Sequence, residues 1–247
     1  MDTHRIHIGT SGWSYKHWKD TFYPVGTKAK DWSSYYRSHF DTVEINSSFY
    51  RLPQKETLRK WRDEASDDFV YVLKASRFIT HMKYLLDPET STSDFLEHAA
   101  EMGEKLGAIL FQLPPKFKID ADRLGRFLEH LPKKFRYAFE FRNATWYTPE
   151  IYDLLKKYDC AFCIYELDGH LSPLEVTTDF VYLRLHGPGR KYQGSYPEET
   201  LRQWANQCLE WSKTKDVYVY FDNDEQGFAA FNALTLKQMV AAESFNP

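Results

Sequence analysis

RYAFEFR, residues 136–142, is the stretch on which the fold turns. Side chains alternate faces along a strand, so Tyr137, Phe139 and Phe141 share one face and Ala138, Glu140 and Arg142 the other. An apolar face suits packing against helices. A polar face that ends in charge at the strand's C-terminus suits a (β/α)8 barrel, where those ends line the site. The same parity recurs in TVEIN (42–46), with Val43 and Ile45 against Thr42, Glu44 and Asn46. In VYLRLH (181–186) the opposed sets are Val181, Leu183, Leu185 and Tyr182, Arg184, His186. VYVYFD (217–222) sets Val217, Val219 and Phe221 against Tyr218, Tyr220 and Asp222, while VYVLK ends on Lys74 and AILFQ on Gln112.

Outward from these runs, strand-like and helix-like segments alternate through the chain. IHIGT (6–10) precedes an aromatic loop and a helix near 31–39, TVEIN a helix near 54–65, and FVYVLK (69–74) one near 92–106. GAILFQ (107–112) is followed by a helix near 120–130, RYAFEFR by one near 149–158, FVYLRLH (180–186) by one near 197–212, and DVYVYFD (216–222) by one near 227–241. After AFCIYE (161–166), the segment LDGHLSPLEVTTD reads as irregular rather than as a full helix, so a reduced helix is expected after the sixth strand. Strands alternating with helices at this spacing imply parallel βαβ units. Eight of them predict a single (β/α)8 TIM-type barrel over 1–247, with long loops at the C-terminal face. No GxGxxG or Walker-type loop follows the first strand, which disfavours a dinucleotide-binding sheet. Ser195 and Glu198 have capping-box spacing, and Thr148 before Pro149 is a cap for the fifth helix.

The length of 247 residues suits one such barrel, which needs about 250. A net charge of −3 and a pI near 6.3 provide no global basic signal, so nucleic acid is not the favoured partner. The start MDTHRIHIGTSGW lacks the layout of a signal segment and no long apolar run follows, so a cytoplasmic protein without membrane partners is expected. Three cysteines do not make a disulfide framework. Cys160 and Cys163 form a CxxC, but inside a strand, where buried thiols are expected. Oligomeric state is left open.

Glu140 and Arg142, two apart on one face, pair a carboxylate with a guanidinium. Such a pair holds its charge and orients a polar substrate, and also describes an internal ion pair. Arg184 and His186 repeat the spacing, and an imidazole suits proton transfer near neutral pH. Glu44 opposite Glu140 makes a glycosidase-like carboxylate pair conceivable. Asn46, Lys74 and Gln112 add amides and a cation for orienting hydroxyls or anions. Glu44, Glu140, His186 and Asp222 are acceptable ligand types for a divalent metal, but Arg142, Arg184 and Lys74 would crowd a cation with positive charge. An anionic ligand fits better, and no cofactor is expected. The loop GPGRKYQGSY (187–196) reads either as a phosphate cradle or as a plain surface loop. Trp13, Tyr15, Trp18, Phe49, Tyr50, Trp146, Tyr147 and Tyr192 follow strand ends, as a stacking platform or as a lid on the rim.

These motifs together resemble the YecE-like family, domain of unknown function 72. The resemblance runs through GTSGWSY (9–15), FDTVEINSSFYRLP (40–53), KASRFITH (74–81), LFQLPP (110–115), FEFRNATW (139–146), RLHGP (184–188) and VYVYFDND (217–224). It implies a TIM-type fold and emphasises Gly12, Trp13, Glu44, Asn46, Lys74, His81, Gln112, Glu140, Arg142, Arg184 and His186. His81 comes from the resemblance alone. Asp222 stands where the family usually has Asn, and Asn143 where His is frequent. No reaction comes with the resemblance.

The leading expectation is therefore an acid/base enzyme, hydrolase- or lyase-like, on a small anionic, phosphorylated or sugar-like substrate. Glu140, His186 and Glu44 would do chemistry. Arg142, Arg184 and Lys74 would clamp the anion, and Asn46, Gln112, Trp13, His81, Tyr192 and Asp222 would contact the substrate. The alternatives are a protein that binds or processes phosphodiesters, and a non-catalytic ligand-binding barrel.

Overall fold

The computed structural model describes residues 5–244. Its strands are β1 (Ile6–Thr10), β2 (Thr42–Ile45), β3 (Val70–Lys74), β4 (Leu106–Leu113), β5 (Tyr137–Phe141), β6 (Cys160–Leu167), β7 (His170–Leu171), β8 (Phe180–Leu185) and β9 (Asp216–Phe221). They alternate with helical segments, as in the (β/α)8 TIM-type α/β fold, except between β6 and β8, where the short β7 and irregular chain stand in place of a helix. The chain divides into two compact units, residues 1–44, 164–174 and 179–247 in the first and 45–163 with 175–178 in the second.

In the first unit β9 pairs in parallel with both β1 and β8, with Tyr220 opposite Gly9 on one side and Arg184 on the other. The polar parity builds a ring-rich layer. His7 stacks on Tyr218 with centroids 4.9 Å apart, and Tyr182 lies 5.4 Å from Tyr220. Gly9 is required here: a Cβ would sit 2.4 Å from the Thr42 carbonyl oxygen and 3.0 Å from the Tyr36 hydroxyl. The helix Glu198–Ser212 buries Leu201, Trp204, Ala205 and Cys208, the i, i+3, i+4, i+7 set of one helical face.

In the second unit β3, β4, β5 and the first half of β6 pair in parallel, with Gln112 opposite Glu140. The aromatic parity packs outward as the alternation requires. Phe111 stacks on Phe139 at 5.1 Å, Phe141 on Phe162 at 5.9 Å, and Phe127 of the helix Ala121–His130 meets Phe111 edge-on at 5.2 Å. Thr148 caps the helix Pro149–Lys157, its hydroxyl accepting from the Ile151 amide at 3.4 Å.

Three local expectations need correction. The Ser195–Glu198 capping box does not form: Pro197 is the N-cap, and the Ser195 hydroxyl accepts instead from the Asn232 amide at 3.0 Å. The helix expected near 92–106 is α-helical only over Ser93–Ala99. Ala100–Lys105 winds as a tighter 3-10 segment broken at Gly103, whose φ is +54°. The irregular segment after β6 contains a hairpin, with β7 antiparallel to β6 and Glu166 opposite Leu171. Its turn is Asp168–Gly169, both at positive φ (56° and 73°), the mirror-image turn that an Asp-Gly pair favours. Among the described residues no helix is long and apolar enough to cross a membrane.

Cys160, Cys163 and Cys208 are buried free thiols. Burial pushes the Cys160 thiol up to about 12, so it carries no thiolate at neutral pH.

Candidate functional site

The two units each hold one concentration of buried charge. In the second, Glu140 is inaccessible and forms an ion pair with Arg142, whose side chain is nearly buried. The Cys163 thiol donates to the other Glu140 oxygen at 3.8 Å. Lys74, at the end of β3, is buried and holds its Nζ 4.7 Å over the ring of Phe49. The loop after β2 is stitched to that strand end by Ser48, whose hydroxyl contacts the carbonyls of Ile45 (2.8 Å) and Lys74 (2.7 Å). His81 lies in a π-helical turn, Phe78–Met82, and meets the edge of Phe49 at 5.0 Å.

The electrostatics around His81 tie these residues together. Burial first, then the cations Lys74, Arg77 and Arg142, push its imidazole down to about 4, with Glu140 opposing. The ring is neutral at pH 7 in a field set mostly by cations. The folded pKa is depressed, so the unfolded chain takes up the proton first as pH falls. The stability it contributes is therefore full above about pH 6.5 and is lost progressively towards pH 4. The loss should be about 1 kcal/mol by pH 4.5, after discounting a part-exposed ring for solvent screening. Urea unfolding of the parent and His81→Gln at pH 7 and pH 4.5 checks this: the variant should lose less stability on acidification. An equal acid slope would refute it.

In the first unit Glu44, Arg184, His186 and Asp222 form one buried network. The Glu44 carboxylate accepts from Ser11 Oγ (2.6 Å), Arg184 Nη2 (2.7 Å) and Tyr182 Oη (2.6 Å). The same Arg184 nitrogen reaches Asp222 at 3.2 Å, and His186 Nδ1 lies 3.0 Å from that Asp222 oxygen. Arg184 Nη1 is 3.3 Å from His186 Nε2. A guanidinium only donates, so Nε2 accepts, the ring proton sits on Nδ1, and Nδ1 donates to Asp222. The guanidinium thus stands between the two carboxylates, where a cation would. Among the described residues no group of three or more His, Cys, Asp or Glu side chains is arranged to hold a metal ion. Burial first, then Asp222, Asp224 and Glu44, raises the Tyr15 hydroxyl well above its ordinary value. Burial and Glu44 do the same to Tyr182, so both remain donors.

Other expected site residues divide between packing and surface. The Trp13 carbonyl accepts from the Tyr23 hydroxyl, and its ring faces Tyr36 at 6.5 Å. Trp18 and Trp146 are core residues, a correction to the platform reading, with their indole N–H groups donating to the carbonyls of Asp224 (3.2 Å) and Phe117 (2.7 Å). The Gln112 amide donates to its neighbour's carbonyl, Leu113, at 3.4 Å, and Asn46 stands at the start of the helical turn Ser47–Tyr50. Tyr192 packs edge-on to His186 at 5.5 Å.

The 187–196 loop uses its own donors. The Gly187 amide donates to the Tyr196 hydroxyl (3.0 Å) and the Gly194 amide to Glu225 (3.3 Å), so neither N–H is presented to a phosphate. Gly187 is needed because its φ is +120° and a Cβ would lie 2.4 Å from the Gln193 carbonyl oxygen. Arg77, Ser11 and Tyr182 were not singled out by sequence reading. Tyr182 lay on the polar parity, and Arg77 in KASRFITH, so a signal existed for both.

A family model described as "Protein of unknown function DUF72" matches residues 7–247. UPF0759 protein YunF of Bacillus subtilis (strain 168) is 26% identical over 272 aligned residues, covering 96% of this chain and 95% of YunF. UPF0759 protein YecE of Escherichia coli (strain K12) is 29% identical over 143 residues, 58% of this chain and 50% of YecE. Among solved structures, a DUF72 family protein from Thermotoga maritima MSB8 matches with a TM-score of 0.88 at 28% identity, covering 96% of this chain and all 100% of that one.

Proposed function

The chain belongs to the DUF72 family, and for this member we propose acid/base chemistry, hydrolase- or lyase-like, on a small anionic substrate. Glu140 is the acid or base. Arg142, Lys74 and Arg77 clamp the anion, and neutral His81 hydrogen-bonds it. The observation that carries this reading is the buried Glu140–Arg142 ion pair in the same unit as buried Lys74, and the His81 imidazole, lowered first by burial and then by Lys74, Arg77 and Arg142 with Glu140 opposing, supports it. A buried carboxylate paired with a guanidinium among further cations is a common way to seat phosphate or carboxylate groups and hold a proton-transfer group beside them. Glu44, Arg184 and His186 are read as scaffold, because the hydrogen bonds among them already engage the Glu44 oxygens and both nitrogens of the His186 ring.

A panel of sugar phosphates and sugar acids, screened for thermal stabilisation and then turnover, tests the reading. At least one anion should raise Tm in the parent. Arg142→Gln should abolish that rise. Glu140→Gln should still bind while turnover falls by about 10²–10⁴-fold, the usual contribution of a general acid or base. Unchanged turnover in a cooperatively unfolding Glu140→Gln would sink the assignment.

A further inference from the structure

The loops that carry Lys74's partner Phe49 and His81 also carry exposed apolar side chains. Tyr50 is 74% exposed, Met82 61% and Phe78 42%. Single exposed apolar residues are ordinary on protein surfaces. Tyr50 and the turn that carries Phe78 and Met82 both reach Phe49 in the second unit: Tyr50 meets its ring at 5.0 Å and 89°, and His81 of that turn meets it at 5.0 Å and 83°. Phe78, His81 and Met82 share one π-helical turn, closed by the Lys83 amide donating to the Phe78 carbonyl at 2.9 Å, five residues back. In so wide a turn residues four apart lie close to one face, so Phe78 and Met82 are presented together while His81 packs on Phe49. Single-turn π segments are rare and recur at functional sites. Cations border the apolar residues on the chain: Arg77 precedes Phe78, and Lys83 holds its Nζ 5.9 Å over the Phe78 ring.

We propose that the substrate carries a ring beside its anionic group, the anion meeting Lys74, Arg77 and Arg142 and the ring covering Tyr50, Phe78 and Met82. This rests on the anion clamp proposed above and narrows its substrate class from sugar-like anions in general to ring-bearing ones. Aromatic and thioether side chains contact a flat ring over a large area, and a part-exposed aromatic is covered by such a ligand better than by a hydroxylated chain. The charged group carried beside the ring then falls to the neighbouring cations. Aryl acids and nucleoside phosphates share this chemistry.

Matched pairs separate the possibilities by calorimetry: methyl against phenyl phosphate, acetate against benzoate, ribose 5-phosphate against adenosine monophosphate. The ring-bearing member should bind on the order of tenfold more tightly, the usual worth of one stacked ring. Tyr50→Ser, and the double change Phe78→Ser with Met82→Ser, should remove that advantage and leave the ringless member unchanged. Because these positions are exposed, the variants retain the parent fold. An advantage confined to the phenyl and benzoate pairs assigns an aryl acid, and one confined to the nucleotide pair a nucleobase. Arg142→Gln should weaken both members of a pair alike. Equal affinity within every pair, with sensitivity to Arg142→Gln kept, overturns the ring and leaves the clamp standing. An advantage that survives both serine variants also overturns it. Binding of no anion, or binding indifferent to Arg142→Gln, overturns the clamp and the ring together.

Discussion

Arg184→Met should destabilise the protein by about 3–5 kcal/mol, the cost of removing one partner from a buried ion pair. For a chain of this size that corresponds to a fall in Tm of about 6–20 °C. The guanidinium is fully buried between Glu44, also fully buried, and Asp222. Methionine matches the stem but leaves both carboxylates facing a side chain that cannot donate. Ser11 and Tyr182 still hydrogen-bond Glu44, so its charge is less exposed to the loss than that of Asp222. Adding Glu44→Gln to Arg184→Met should recover part of the loss, because one orphaned charge is then neutral. The coupling in that double-mutant cycle should be about 0.5–3 kcal/mol. Arg184→Lys should not rescue, since an ammonium lacks the planar fork that spans two carboxylates and the imidazole. Denaturant titration reads the parent, the two single variants and the double variant of the cycle, and Arg184→Lys. A change for Arg184→Met within about 0.5 kcal/mol of zero, the range of ordinary surface substitutions, would refute the scaffold role and return Arg184 to the set of substrate clamps.

Trp146→Ala should cost about 3–5 kcal/mol, the range for truncating a large aromatic in a core. The ring is fully buried, stacks on Phe141 at 4.9 Å and meets Phe117 edge-on at 5.2 Å. Its N–H also satisfies the Phe117 carbonyl, which alanine would orphan. Trp146→Phe keeps most of the packing and should cost about 1–3 kcal/mol through that lost hydrogen bond. Ligand affinity, in contrast, should be unchanged in Trp146→Phe. A stacking platform would behave the opposite way, losing ligand binding with little change in stability.

Much of the fold was legible in advance because strand alternation is a local property. Tyr137, Phe139 and Phe141 are buried on one face, with Phe139 meeting Phe127 of the helix Ala121–His130, and Glu140 shares its parity with Gln112 across β4 and β5, as the period of two requires. The Asp168–Gly169 hairpin is just as local a feature, since that dipeptide favours two left-handed residues, although the whole segment LDGHLSPLEVTTD reads as irregular chain. The expected Ser195–Glu198 capping box fails for a different reason: a Ser hydroxyl three residues before a Glu caps only if no other partner claims it, and Asn232, far along the chain, does. The aromatic residues after strand ends divide the same way. Tyr50 and Trp146 both follow a strand whose polar parity ends in Asn or Arg, yet one is 74% exposed and the other buried.

Residue type and parity alone thus determined the alternating architecture and the positions of the polar strand ends, and the motifs that carry them supplied the family resemblance. Tertiary structure decided what those ends do. Arg184 and Arg142 occupy equivalent places on their strands, each two residues from a chemistry-bearing partner. One is locked among Glu44, Asp222 and His186, whereas the other pairs with Glu140 and, with Lys74 and Arg77, adds to the burial that depresses the His81 imidazole. The difference lies in which distant side chains supply the remaining donors, acceptors and burial. A pattern of period two carries no information about those contacts.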